Sequence, residues 1–451
     1  MAEDKLNKIA SLCKRRGFVY QTTEIYGGLA GFYDYGPMGA EMIRNLKNLW
    51  WQDMVHSRDN IYGIDGSIIL HPKVWEASGH VEGFDDPLIE CSKCHKRVRV
   101  DKLEGWRARK NDKGEWQILE QGKLDCPYCD GQLVPEIKQF NLMMKTFLGS
   151  VSGEKTTAFL KGESCQNTYL NFKPIIDSLS PKIPFGIAQI GKAFRNEITF
   201  GKFIFKLREF EQWDVEYFVE PDQADQAYKD WKQIRWNWFV DRLGFDEEKM
   251  RWRQHTKDEL IFYARDAWDI EYKYPFGWDE LEGLHDRSDY DLKQHSKFSG
   301  EDLQYVTPDG KKYYPYIIEA SGGVDRTFLA LMLDAYREDE KRTWLALKPE
   351  VAPYKMAVFP LLANKDKLVA KAKDIYNKLN AEFHAAWDDH GNIGKRYRRQ
   401  DEIGTPWCVT VDFDSLEDDA VTVRDRDTME QERVDFSSLE DYFKSRLNNN
   451  E

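Results

Sequence analysis

The sequence lacks any uncharged apolar run of 18 residues, and its mean hydropathy is −0.68, so no membrane-crossing helix is expected. It has no excess of positive charge: 65 Lys and Arg stand against 78 Asp and Glu, a net of −13. A nucleic acid would therefore be met by local patches, not by a global field. Cysteine is scarce and odd in number, seven in 451 residues, which argues against a disulfide scaffold. The opening stretch MAEDKLNKIASLCKRRGF shows no apolar segment with a small-residue cleavage site, so a cytoplasmic enzyme is the expectation. Internal repeats are missing too. What is present is a 41% hydrophobic, 14% aromatic chain, enough for two or three domains.

Along the chain, apolar positions Met42, Ile43, Leu46, Leu49, Trp50 and Met54 recur every three or four residues, predicting an amphipathic helix over Glu41 to Val55, entered through Pro37 and Gly39. From 89 to 135 the composition shifts to Cys, Lys, Arg and Asp, the mark of an inserted module needing a staple. Strand signals fill 185–220. Residues 221–300 read as Trp-rich helical stretches with polar loops, and 314–336 as a strand running into a helix. The prolines of Leu347 to Pro353 suggest a boundary, dividing 1–350 from a mixed α/β tail, 351–451. The tail reads as strand Tyr354 to Leu361, helix Lys365 to Leu379, strands Trp407 to Phe413 and Val421 to Arg424, and a last helix with a capping box at Ser437 and Glu440.

Two segments carry chemistry. The first runs from FRNE (Phe194 to Glu197) through Ile198 to Lys202 into FIFKLREFEQWD (Phe203 to Asp214). In its second arm Phe203, Phe205, Leu207, Trp213, Val215 and Tyr217 share one parity, while Lys206, Arg208, Phe210, Gln212 and Asp214 share the other, as in a strand with one packed and one polar face. A hairpin closed by a short glycine-containing loop would gather Arg195, Glu197 and Arg208 on the polar face. Paired guanidiniums beside the Phe210 ring suit an anionic, planar ligand; a solvated face of ion pairs is the plain alternative. The second segment, YPYIIEASGGVDR (Tyr314 to Arg326), delivers Glu319 and Ser321 to a Gly322-Gly323 turn, with Arg326 opening the apolar helix Thr327 to Tyr336. Gly-Gly ahead of a helix can cradle an anion, and an ordinary strand-to-helix turn would read the same way.

The pairs CSKC (Cys91, Cys94) and CPYC (Cys126, Cys129) are separated by 31 residues, beyond the usual ~15–20 of a zinc ribbon. Two such knuckles still favour tetrahedral, structural Zn²⁺ over reduced thiols, with His95 exposed and not a ligand. Cys13, Cys165 and Cys408 read as ordinary thiols. Gly149 to Thr156 evokes a phosphate loop, but a glutamate interrupts the required Gly-Lys pair. His285, His295, Asp286 and Asp289 are spaced too irregularly for a metal and read as a polar loop. In the tail, Lys395, Arg396, Arg398 and Arg399 around Tyr397 suit single-stranded RNA, or form a solvated face.

Taken in order, FRNE and REFEQWD resemble motif 2, and IEASGGVDR motif 3, of class II aminoacyl-tRNA synthetases. GFYDYGPMGAEMIRNLKNLWWQDMV, HPKVWEASGHVEGFDDPL, FNLMMKTF, GWDELEGLHDRSDYDLKQH and RYRRQDEIGTPWCVTVDF are similar to the dimeric, single-chain glycyl-tRNA synthetases, nearly along the whole chain. The resemblance implies an α+β fold: a class II antiparallel sheet with flanking helices (1–350, motifs 1 to 3), a zinc-ribbon-like insertion (89–135), and a mixed α/β anticodon-binding domain (351–451). It implies a cytoplasmic glycine–tRNA ligase that uses ATP and Mg²⁺ to make glycyl-adenylate, carries structural Zn²⁺, charges tRNA(Gly) and forms a homodimer through its first helix and the Pro37 segment.

By the same resemblance Arg195 holds the α-phosphate and the glycine carboxylate, Glu197 orients the adenine amino group, Phe210 stacks on adenine and Arg326 clamps the γ-phosphate. Arg208, Glu209, Glu280 and Leu281 complete the ATP and Mg²⁺ site, which also draws on Asn196, Phe205, Lys206, Leu207, Gly323, Val324 and Asp325. Glu163, Glu319 and Ser321 surround the glycine ammonium. Gln212 and Asp214 lie behind them, within a substrate-binding stretch Glu211, Gln212, Trp213 and Asp214 and a second formed by Ala320, Gly322 and Gly323. Arg99 matches a substrate-binding arginine. A pocket lined by carboxylates and a serine excludes side chains by clash. Departures fall at Lys161 to Asn167, where the family reads Arg-Pro-Glu-Thr-Ala-Gln-Gly, at Ala320 for proline and at Asp214 for glutamate, all touching the amino-acid pocket. Two rival readings remain: a synthetase-like accessory protein without catalysis, and a ligase for another small amino acid.

Overall fold

A computed structural model describes residues 2–100, 103–111, 115–149, 156–197, 202–257, 259–260 and 263–448. In the first part the chain forms helix α1 (Ala2–Arg16) and helix α2 (Pro37–Trp51). Proline at the first helical position starts α2 four residues before the expected Glu41, because its fixed φ and missing N–H suit a helix entrance. Next come strand β1 (Ile61–Ile64), the short helix α3 (His80–Gly83), and strands β2 (Asp85–Cys91) and β3 (Leu133–Asn141), which frame the insertion. The sequence then gives helix α4 (Gln166–Leu170), strands β4 (Phe185–Phe194) and β5 (Glu209–Val219), helix α5 (Ala224–Asn237), strands β6 (Met250–Gln254), β7 (Asp266–Tyr274) and β8 (Gly277–Asp286), helix α6 (Tyr290–Ser299), strand β9 (Tyr316–Gly323) and helix α7 (Val324–Ala335).

Seven strands make the central sheet, in the order β6-β7-β8-β9-β5-β4-β1, antiparallel except where β1 runs parallel to β4. Alternation sorts its faces. Trp213, Val215 and Val219 of β5 join the main apolar cluster with α2, α5 and α7, while Gln212 and Asp214 turn to the other side. Trp213 stacks on Trp50 at 5.8 Å and donates its indole N–H to Glu282 at 2.9 Å. Glu282 also takes the buried Arg235 guanidinium at 2.5 and 2.9 Å, so that ion pair is fully partnered. Of the twelve residues of α7, only Arg326 escapes burial.

Three sequence readings need correction here. The strand expected from Phe203 starts only at Glu209: Phe203–Phe205 is a 3₁₀ turn whose aromatics wedge into the core, so Lys206 to Arg208 are loop residues. Residues 198–201 of the expected hairpin loop, and 150–155 of the discarded phosphate-loop look-alike, lie outside the described residues. Within 221–300 the supposed polar loops are strands β6, β7 and β8. Finally, Gly322-Gly323 is not a turn; β9 runs straight through both glycines. Gly322 is required by close approach, since a Cβ there would sit 2.3 Å from the Trp213 indole nitrogen.

The tail folds as strand β10 (Met356–Pro360), helix α8 (Asp366–Phe383), strand β11 (Ala385–Trp387), helix α9 (Ile393–Ile403), strands β12 (Trp407–Val411), β13 (Ala420–Asp425) and β14 (Gln431–Asp435), and helix α10 (Leu439–Asn448). Its sheet order is β11-β10-β12-β13-β14, parallel through the first three strands and antiparallel thereafter. Helix α10 begins after Ser438, so Glu440 falls one position early for the expected capping box. Leu347, Val351 and Ala352 pack with the main cluster, whereas Met356, Val358, Leu368, Ile375, Val409 and Phe443 form the tail's own core.

Candidate active site

Two adjoining clefts open where the Gln212 face of the sheet meets the start of α7. The first is lined by Arg195, Glu197, Phe205, Lys206, Leu207, Phe210, Gly322, Gly323, Asp325 and Arg326. The second is lined by His80, Phe84, Glu163, His255, Tyr263, Asp269, His285, Arg287 and Glu319. Arg195, Gln212, Glu280 and Ser321 line both, so a ligand group at the junction meets all four.

The first cleft is built for anions and an aromatic ring. Arg326 lies over the Phe205 ring at 4.7 Å and is 3.0 Å from a Glu280 carboxylate oxygen. Desolvation in the cleft opposes both charges, but each partner offsets it: the Arg326 pKa stays above the ordinary value and Glu280 below it. Glu197 pairs with Lys206 at 2.8 Å, and Arg208 donates to the Glu197 carbonyl at 3.0 Å. The structure thus brings Arg195, Glu197 and Arg208 together, with Arg208 bracing the loop outside the cleft lining. Asp325 accepts from the Tyr35 hydroxyl at 2.5 Å and from the Glu211 N–H at 2.7 Å, which fixes the start of α7.

The second cleft has a carboxylate-rich floor. Glu319 accepts from His285 Nδ1 at 2.8 Å and Arg287 at 3.0 Å, both on one oxygen. Arg287 is itself held by both oxygens of Asp291, at 2.8 and 2.9 Å. Burial pushes Glu319 up, and Arg287 and His285 more than reverse this, to about 2. Glu163 sits 3.3 Å from His80 Nε2 and accepts from Gln166 at 2.9 Å. Burial works against its charge, but His80, Arg287 and Gln166 hold it well below the usual carboxylate range. Asp214 lies beneath, accepting from Ser164 Oγ; burial raises it to about 7.

Several expected site residues stand elsewhere. Leu281, Trp213, Val324 and Ala320 are core side chains, able to offer only backbone atoms. Glu209 and Glu211 pair with Lys192 and Lys47 outside both clefts. Asn196 is seen through its N–H, donated to Leu142 at 2.8 Å. Arg99 pairs with Asp86 at 2.9 Å, outside both clefts. The unusual Lys161 and Asn167 lie behind the pocket and face each other at 3.4 Å, and Cys165 is buried there too, so these departures do not line it. His285 is a strand residue in the second cleft, and His295 is buried on α6 against Gln166 at 2.9 Å, which corrects the polar-loop reading. Sequence reasoning missed His80, Arg287 and Tyr35; only the order of the HPKVWEASGH and HDR segments hinted at the first two.

Outside the clefts, Cys91, Cys94, Cys126 and Cys129 converge, with Sγ atoms within 4.8 Å of one another. The Cys91–Cys129 and Cys94–Cys126 separations are 3.6 and 3.7 Å, close to the roughly 3.8 Å edge of a tetrahedron with Zn–S bonds of about 2.3 Å. Backbone N–H groups of Lys93, Tyr128 and Gly131 donate to the sulfurs. A Cβ on Gly131 would lie 2.9 Å from Cys91 Sγ, so the loop leaves room for a four-sulfur cage. His95 is exposed. In the tail, the basic run divides: Arg396 is 1% exposed and donates to the carbonyls of Pro360, Asp389 and Gly391, and Arg399 grips Asp388, leaving only Lys395 and Arg398 exposed.

Residues 150–336 match the class II tRNA synthetase core domain shared by the G, H, P, S and T enzymes, and residues 355–446 match an anticodon-binding domain. Over the full length the chain is 48% identical to a glycine–tRNA ligase of Treponema denticola (98% of this chain, 97% of the relative). It is 48% identical to that of Streptomyces coelicolor and 47% to that of Clostridium acetobutylicum, in both cases across 99% of each chain.

Proposed function

The chain belongs to the glycine–tRNA ligases of class II, and from that membership we propose how its two clefts activate glycine with ATP and pass it to tRNA(Gly). The observation that carries the reading is the shared wall: Arg195 stands where a cleft for an anionic nucleotide meets a cleft floored by ionised carboxylates. Glycine's ammonium group sits between Glu163 and Glu319, with Ser321 beside it. Its carboxylate then lies at the junction, facing the α-phosphorus. The carboxylate oxygen attacks, the bond to the bridging oxygen breaks and pyrophosphate leaves. No side chain is required as nucleophile or base, so positioning and charge neutralisation supply the rate.

Arg195 meets the charge that grows on the α-phosphate, and Arg326 at the head of α7 meets the departing phosphates. Phe210 and Phe205 provide ring faces for the base, and Glu197 an acceptor for its amino group. Mg²⁺ neutralises the phosphates when bound, with Glu280 the carboxylate best placed near them. His80, Glu163, Glu319 and Ser321 line the cleft around the place assigned to the glycine ammonium group, and exclusion of side chains by clash against them is the basis of selection in this reading. The terminal ribose hydroxyl of tRNA takes the glycyl group from the adenylate, while 351–451 reads the anticodon and 1–350 carries the chemistry.

We assign structural Zn²⁺ to Cys91, Cys94, Cys126 and Cys129, the four thiolates filling a tetrahedral site. Homodimerisation is the expected state. The apolar residues of α2 are spent inside the chain's own core, and the exposed Ile25, Tyr26 and Leu29 nearby are the better support for an interface. Arg195→Ala tests the chemistry: pyrophosphate exchange with glycine is expected to fall at least 1,000-fold (~4 kcal/mol) while the protein stays folded. Substantial residual exchange would remove Arg195 from its role.

A further inference from the structure

Arg195 is held in an unusual way for a buried-side cation. Its Nε donates to the Gly162 carbonyl at 2.9 Å, and among the described residues it has no carboxylate ion-pair partner. Its guanidinium instead lies between two phenyl rings, 5.1 Å from the centre of Phe84 and 5.4 Å from Phe210. A carboxylate would use up the N–H edge that substrate oxygens need. Aromatic faces attract the cation while leaving that edge free.

Phe84 is fixed on every side. Its ring packs against His80 at 4.8 Å and lies 3.4 Å from where a Cβ of Gly162 would be, an ordinary contact distance. Its carbonyl accepts from Leu142 N–H at 3.0 Å, and Leu142 in turn accepts from Asn196, the neighbour of Arg195, at 2.8 Å. The residues flanking Phe84 are gripped from the insertion: Lys110 donates to the Gly83 carbonyl at 2.9 Å and pairs with Asp85, and the Trp116 indole donates to Asp85 at 3.2 Å.

We propose that Phe84 is a positioning residue for Arg195, and that the cysteine-bearing insertion holds Phe84 in place, so the insertion serves amino-acid activation. This rests on the activation reading above. The ring makes its contribution where Arg195 meets transition-state charge, so its loss is expected in turnover and not in ground-state binding.

The test is pyrophosphate exchange, without tRNA, by Phe84→Leu and Phe84→Tyr. Leucine keeps apolar bulk but has no π face. Phe84→Leu is expected to lower kcat by about 10- to 100-fold, with KM for ATP and glycine within about threefold, and Phe84→Tyr to retain most of the rate. In an Arg195→Lys background the Phe84→Leu effect should shrink to about twofold or less. Lys110→Met with Trp116→Ala should reproduce part of the kcat loss. A Phe84→Leu enzyme with wild-type kcat, a defect confined to KM, or an undiminished effect beside Arg195→Lys would overturn the proposal. If the unaltered protein showed no exchange with glycine, the activation reading would fall. The placement itself would then be judged by the crystal structure of Phe84→Leu, where Arg195 off the Phe210 ring supports it and an unmoved Arg195 refutes it.

Discussion

Asp214 shows what a single buried acid does to this enzyme. It lies under the floor of the second cleft, and burial raises its pKa to about 7 against the hydrogen bonds from Ser164 and Ser321. Unfolded, the same carboxyl titrates near ~4. The folded state therefore binds the extra proton between those values, and the stability this gives is complete below ~4 and lost as pH rises through ~7. Asp214→Asn should remove that slope: relative to the unaltered protein, the variant gains a few kcal/mol of unfolding free energy between pH ~4 and ~7 and gains nothing more above. Urea titrations at stepped pH measure it; a difference independent of pH would contradict the assignment. Glu319 has the opposite sign, its contribution present above the unfolded value and lost only as pH falls through about 2, outside that window. At this scale the places of Glu319, Arg195 and Arg326 in the clefts were readable from compact ordered motifs, and that of Glu163 only through the resemblance, since its segment departs from the family pattern. It was not readable for Tyr35, whose bond to Asp325 joins residues 290 positions apart, nor for His80 and Arg287, whose roles appear only when three chain segments converge.

Among the elements, α9 is the most instructive. Its sequence IGKRYRRQDEI looks polar throughout, because the side it buries carries Arg396, Gln400 and Asp401 in place of aliphatics. Periodicity of apolar residues cannot find such a helix, and a charge count mistakes its structural arginine for a ligand-binding one. β6, β7 and β8 were obscured for a related reason: their cleft faces carry Arg253, Asp269, Glu271 and His285, so their composition resembles loops while their alternation is that of strands. β5 was legible from Trp213 onward because its apolar parity is unbroken there. For α9, Arg396→Ala is expected to destabilise the tail by about 2–4 kcal/mol, since three carbonyls lose their donor. Lys395→Ala with Arg398→Ala should change stability by less than about 1 kcal/mol but weaken tRNA binding and lessen its salt dependence. Denaturation and filter binding at several salt concentrations separate the two. Equal loss of stability in both variants would contradict this division of the run.

Across the whole molecule, the tail is tied to the catalytic body by buried charge. Asp401 on α9 receives Arg424 through both oxygens and Arg342 at 3.1 Å, and Arg426 donates to the carbonyls of Leu347 and Gly404. The tail and the catalytic body thus share one framework, and the insertion holds the residues on either side of Phe84 in the second cleft. The order of motifs foretold a class II core followed by an anticodon-binding domain, but not the charged link between them. Nor did it foretell the seating of Lys161, Cys165 and Asn167 behind the pocket, since one sequence shows which residues depart from a pattern but not which way they face. That placement makes glycine selectivity the central claim, because it leaves the pocket lining intact. The most direct test is amino-acid-dependent ATP–pyrophosphate exchange before any tRNA is added, comparing glycine with alanine, serine, threonine and proline. The account predicts exchange with glycine and at least 100-fold less with each of the others (~3 kcal/mol). Comparable exchange with alanine or serine, or none with glycine, would contradict it.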